Sequence, residues 1–110
     1  MKLLVVDDVA VNRLTLLALL EDDGHQVDEA ESCAQARERL QAGHYDVVLL
    51  DLGLPDGNGV TLIPDIRLHP QTRIVLTSGS DVAGLDALVD GVTTKGESYA
   101  VLQGLLAGFA

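Results

Sequence analysis

Apolar residues in this chain fall into blocks with two rhythms. Residues 2–6 (KLLVV), 46–50 (DVVLL) and 73–78 (RIVLTS) are nearly unbroken apolar runs, while 26–30 (QVDEA) alternates weakly and 91–95 (GVTTK) is a fainter candidate. Short solid apolar runs predict strands buried on both faces. The segments between them carry a helical period. Leu14, Leu17 and Ala18 share one face of a helix predicted over 10–22, which Gly24 closes. Ser32 and Gln35 form a capping box for a helix running to Ala42, with Cys33, Ala36 and Leu40 inward and Gly43 after it. A turn-rich loop, LPDGNG at 54–59, leads to a helix predicted from Asn58 to Leu68, in which Pro64 removes a backbone donor and threatens a kink. Val82, Leu85, Leu88 and Val89 predict a short helix, and Leu102, Leu105, Leu106 and Phe109 a closing one. Strand followed by helix, five times over, predicts an α/β fold. It is a doubly wound parallel sheet of five strands, with right-handed crossovers and helices on both faces.

No linker, repeat or low-complexity stretch interrupts this order, so residues 1–110 are expected to be one complete domain and little more. The apolar share of 47% suffices for a core, with only 3% aromatic residues. The formal charge of −10 argues against nucleic acid and anionic membranes, and fits a cation or a basic partner. Cys33 has no second cysteine to pair with, no apolar run is long enough to span a bilayer, and no signal peptide precedes the first strand. A soluble, cytoplasmic domain is expected. His25, His44 and His69 lack ligand spacing and are expected in solvent, with Cys33 in the core.

Ligands of an open parallel sheet bind beyond the carboxyl ends of its strands. The first strand ends in Asp7-Asp8, the third in Asp51, the fourth in Thr77-Ser78 and the fifth in Lys95. Each has a plain use when taken singly. An acid pair suits a helix N-terminus, Asp51 suits a turn beside Pro55-Asp56-Gly57, and lysines are usually solvated. Taken together, three carboxylates at neighbouring strand ends would repel one another. A hard divalent cation resolves that conflict, and oxygen-only ligands suit Mg²⁺. With a lysine for a phosphate oxygen and a hydroxyl to hydrogen-bond, the set suits phosphoryl transfer with Asp51 as nucleophile.

The segments VVDD (5–8), VLLDLGLPDGNG (48–59), VLTSG (75–79) and TK (94–95) resemble the receiver domain of two-component response regulators over essentially the whole chain. The spacing of 43 residues from Asp8 to Asp51 is similar to that of the family. The resemblance implies a flavodoxin-like fold with strand order 2-1-3-4-5. It implies that Asp51 accepts a phosphoryl group from the phosphohistidine of a histidine kinase or phosphotransfer protein. Asp8 would ligate Mg²⁺ directly and Asp7 mainly through water, with Asp51 and the Gly53 carbonyl completing the protein ligands. Ser78, followed by a small residue, resembles the switch hydroxyl, with Thr77 as the alternative. Lys95 resembles the lysine that pairs with the phosphoryl group. Such a domain is a signalling phosphoacceptor rather than an enzyme, and catalyses only its own phosphotransfer and dephosphorylation.

The chain departs from the family where output is usually signalled. The stretch from Ser78 to Lys95 is short for the family it resembles, so the fourth helix or fifth strand should be abbreviated. Val92 stands where an aromatic is common, and Gly96 where proline is. Coupling from Ser78 to this face is therefore expected to be weak or altered. VAVNR (9–13) resembles receivers of hybrid sensor kinases, so the chain is read as a stand-alone receiver or a piece of a larger protein. Leu105, Leu106 and Phe109 are expected to face the core, with a weak homodimer through their helix left open. Two rivals remain. One is a degenerate receiver that docks a partner without phosphorylation. The other is a phosphatase with an aspartyl nucleophile, disfavoured because Gly53 stands where that class carries a second acid.

Overall fold

The computed structural model describes residues 1–78 and 84–109, except for the side chain of Ser78. The runs expected as strands form β1 (Lys2–Val6), β2 (Gln26–Ala30), β3 (Val47–Leu50), β6 (Arg73–Ser78) and β7 (Gly91–Thr94). They join in one sheet of order β2-β1-β3-β6-β7 with every pair parallel. Counting those strands alone, the order is the 2-1-3-4-5 that the resemblance implied. A two-stranded antiparallel ribbon, β4 (Gly53–Leu54) with β5 (Gly57–Asn58), was not foreseen; it folds the loop after Asp51 into a hairpin. Gly57, with φ of +153°, supplies backbone that other residues rarely adopt there.

Strand alternation divides the core in two. Leu4, Val6, Val48, Leu50, Ile74 and Leu76 pack against α2 (Cys33–Ala42) and α3 (Ile63–Arg67) on one side. Leu3, Val5, Val47, Leu49 and Val75 pack against α1 (Ala10–Asp22) and α4 (Tyr99–Phe109) on the other. Both faces of the sheet are covered, which is why these strands are solidly apolar. Cys33, Ala36 and Leu40 are buried, as are Leu102 and Leu106, while Leu105 and Phe109 are half-buried against the core.

Several expectations are corrected. The inward face of α1 is Arg13, Leu16 and Leu20; of the expected stripe Leu17 is half-buried, but Leu14 is 50% exposed and Ala18 is also exposed. Val11, Leu14, Leu16, Leu17, Leu19 and Leu20 are spread all round that helix, so the pattern leaves its rotation open. The segment 58–68 is not one helix but a 3₁₀ turn (Gly59–Leu62) running into the five-residue α3. Pro64 lies in the first turn of α3, where its missing N–H costs no helical bond, so no kink results. Ser32 Oγ does accept the Gln35 N–H, but Gln35 reaches back to the N–H of Glu31 rather than of Ser32. Of the helix expected over 82–89, Val82 lies outside the described residues, and the rest holds a 3₁₀ turn (Asp86–Leu88) with Leu85 and Val89 against the core. His44 is exposed, whereas His25 and His69 are half-buried, His69 lying edge-on to His44.

Candidate functional site

The site grows from the register of the sheet. Val6 pairs with Leu50 and Leu50 with Leu76, so Asp7, Asp51 and Thr77 follow side by side at the carboxyl ends of β1, β3 and β6. Thr77 pairs in turn with Thr93 of β7, and Lys95 follows that strand. Among the described residues, the one group of three or more acids, histidines or cysteines able to converge on a metal is Asp7, Asp8 and Asp51. One oxygen from each lies within 4.8 Å of the others. Asp7 is 1% exposed and Asp51 6%, while Asp8 stands in solvent.

One oxygen of each buried acid has a plain turn-forming use. Asp7 Oδ1 accepts the Val9 N–H at 2.9 Å and so turns the chain into α1; Asp51 Oδ1 accepts the Leu52 N–H at 2.9 Å. The second oxygens have no such duty. Asp51 Oδ2 accepts a hydrogen bond from Lys95 Nζ at 3.1 Å. Asp7 Oδ2 is buried without a hydrogen bond; the same ammonium stands 3.3 Å away as an ion pair lacking hydrogen-bond geometry. Burial of Lys95 works to lower its pKa, but the bond to Asp51 and the charges of Asp7 and Asp51 outweigh it, and the ammonium is held above its ordinary value.

A buried carboxylate oxygen with no hydrogen bond is costly unless something else uses it. An all-oxygen donor set with one such orphan fits a hard divalent cation. Gly53, in β4, is exposed, and no atom lies within 4 Å of where a side chain would begin. A cleft of about 300 Å³ opens beside Asp7, Thr77 and Lys95, between α1 and α4. Ser78 continues β6 opposite Thr94; its side chain lies outside the described residues.

Three contributors to this geometry were missed in the sequence. Arg13 donates to the Asp7 carbonyl, Asp56 ties the hairpin to α2 by accepting from the Cys33 and Ala34 N–H groups, and Glu97 closes the turn carrying Lys95 by accepting from Thr94 N and Oγ1. The Thr94–Glu97 spacing of three was a readable turn signal. Asp56 reaches across to residues 22 and 23 positions earlier, and Arg13, six residues from Asp7, is anchored on Glu29 of β2, so no local pattern announces either contact.

An acidic pocket at the carboxyl ends of a doubly wound parallel sheet defines the class. The family model described as the response regulator receiver domain matches residues 3–103, and the chain belongs to that family. It is 35% identical over 101 residues to the transcriptional regulatory protein BasR of Escherichia coli, covering 86% of this chain and 46% of that protein. It is 42% identical over 97 residues to the DNA-binding transcriptional activator DevR/DosR of Mycobacterium tuberculosis, covering 84% and 45%. The chain thus spans about half the length of these curated relatives. Among solved structures it is similar to a CheY-like receiver domain from Methylobacillus flagellatus, with TM-score 0.91, 29% identity and coverage of 100% and 98%. It is also similar to the response regulator TrrA of Thermotoga maritima, solved with Mg²⁺-BeF, with TM-score 0.89, 25% identity and coverage of 99% and 98%. Among the described residues, no helix is long and apolar enough to cross a membrane.

Proposed function

We propose that residues 1–110 form a cytoplasmic receiver domain that accepts a phosphoryl group onto Asp51 from the phosphohistidine of a histidine kinase or phosphotransfer protein. The observation that carries this reading is Asp7 Oδ2, buried without a hydrogen bond in a residue that clusters with Asp8 and Asp51, and ion-paired with Lys95 at 3.3 Å. Asp7, Asp8, Asp51 and the Gly53 carbonyl would hold Mg²⁺, which when bound neutralises charge on the phosphoryl oxygens. In the transfer, a carboxylate oxygen of Asp51 attacks phosphorus in line. The new O–P bond forms as the N–P bond of the donor breaks, and the freed imidazole takes up a proton from solvent. The rigid strand β3 holds the nucleophile still, which is what an in-line displacement needs.

Lys95, already on Asp51 Oδ2, passes to a phosphoryl oxygen of the product. Of the two candidate hydroxyls, Thr77 is supported by its place directly beside Asp51 and on the wall of the cleft, and Ser78 by the resemblance alone. Exposed Val11 and Leu14 on α1, close in sequence to Asp8, support a protein rather than a small molecule as donor. The chain is an acceptor that turns over no external substrate beyond its own phosphorylation and hydrolysis.

The test is incubation with acetyl phosphate or a phosphohistidine donor, with and without Mg²⁺, read by intact mass beside Asp51→Asn. One phosphoryl group gained only with both Mg²⁺ and Asp51 is the expected result. No gain despite bound Mg²⁺ would reject phosphoacceptance and favour a docking module.

A further inference from the structure

Arg13 is charged and only 8% exposed, yet it touches none of the reacting groups named above. It is the fourth residue of α1. Its Nε donates to Glu29 Oε1 at 2.8 Å, its Nη2 lies 3.6 Å from Glu31 Oε2, and its Nη1 donates to the backbone carbonyl of Asp7 at 2.9 Å. The last bond is fully buried. Withdrawing a guanidinium from water is costly even when it is paired, and joining α1 to β2 would need only Glu29. The contact with Asp7 is the unusual one.

Asp7 is held at every other polar atom. Its N–H donates to the Ala30 carbonyl at 3.0 Å, its Oδ1 accepts from Val9, and its carbonyl accepts from Arg13. Only Oδ2 lacks a hydrogen bond; it is buried, with the Lys95 ammonium 3.3 Å away as an ion pair. A peptide carbonyl that lost its partner here could rotate, and the carboxylate beyond it would turn with the backbone. We propose that Arg13 is a positioning residue for the cation site: by clamping the Asp7 carbonyl, with Glu29 and Glu31 as anchors, it fixes Asp7 Oδ2 toward Asp8 and Asp51. This assignment rests on the reading of those acids as a cation site.

Electrostatics gives the test its discriminating sign. Removing a positive charge beside three carboxylates, and freeing Glu29 and Glu31, should strengthen cation binding if charge alone matters. Loss of positioning should weaken it, since removing the groups that orient metal ligands costs roughly 10–100-fold in affinity. Arg13→Met keeps the apolar stem and removes every donor; Arg13→Gln, with the same expected sign, serves should Arg13→Met fail to fold. Isotope-labelled wild type and variant are compared by NMR without metal, then titrated with Mg²⁺, and their Tm values are recorded.

The expected result is a displaced Asp7 carbonyl ¹³C resonance and Val9 amide in the metal-free variant, with the Mg²⁺ Kd raised roughly tenfold or more. A lower Tm with a Kd unchanged or tightened would overturn the proposal and leave Arg13 as a tie between α1 and β2. Should the wild type itself take up no Mg²⁺ at millimolar concentration while the Asp7 and Val9 resonances still move, the cation site proposed above would fall, and this role with it.

Discussion

Gly59 offers a sharp test of how the phosphoacceptor is held. A Cβ built there would stand 2.1 Å from the Asp51 carbonyl oxygen and 3.1 Å from both Asp51 C and Leu52 Cα. All three are backbone atoms, so no side chain can swing aside. Gly59→Ala must therefore push the hairpin away from the end of β3. Overpacking of this kind costs about 1–3 kcal/mol. Displacement also strains or breaks the 2.8 Å bond from the Gly59 N–H to the Leu52 carbonyl, worth about 1 kcal/mol. The sum is about 2–4 kcal/mol. Unfolding entropy of about 2.1 cal/mol/K per residue makes each kcal/mol worth about 4 °C in a domain of this size, so Tm should fall by about 8–17 °C. Thermal unfolding followed by circular dichroism reads this directly, with Gly53→Ala as control because a Cβ there meets nothing within 4 Å. The folded Gly59→Ala protein should also accept phosphoryl groups more slowly, since the carbonyl that must move belongs to Asp51. A Tm within about 3 °C of wild type, or a Gly53→Ala loss as large, would refute the argument that this close approach fixes the loop.

Three other outcomes are expected. Gly104 lies exposed within α4 with open space where a Cβ would stand, so Gly104→Ala should stabilise the domain by about 1 kcal/mol in urea unfolding. Lys95→Met removes the ammonium that lies against Asp7 and Asp51, so saturating Mg²⁺ should raise Tm more in the variant than in wild type; an equal rise would count against a shared site. The backbone bonds from Cys33 and Ala34 hold the Asp56 carboxyl below its ordinary pKa. A depressed folded-state pKa gives stability that is present above the unfolded value, about 4, and lost as pH falls through the folded one. Asp56→Asn should accordingly be less stable at neutral pH and show a shallower acid limb in unfolding titrations below about pH 4.

Much of this was legible in the chain. The solid apolar runs announced a sheet buried on both faces, and the acids at their ends announced where chemistry could sit. The short spacing between Ser78 and Lys95 is also visible in the chain. Other features were not. The α1 stripe is not legible because apolar residues lie all round that helix, so only packing against β1 and β2 chooses which residues turn inward. Pro64 looked like an obstacle because its effect depends on where the helix begins, and that boundary was set by the hairpin before it.

Sequence by itself determined the alternation of strand and helix, the parallel sheet and the identity of the acids and lysine, because these depend on local periodicity and on which residue types end each run. Tertiary structure alone decided that Asp7 keeps one oxygen free of hydrogen bonds, that Lys95 pairs with it and with Asp51, that Thr77 stands beside Asp51, and that Arg13, anchored on Glu29, and Asp56, bound to the start of α2, brace the pocket. Those facts depend on register and on the direction of single hydrogen bonds between segments, which exist only once the strands are laid side by side.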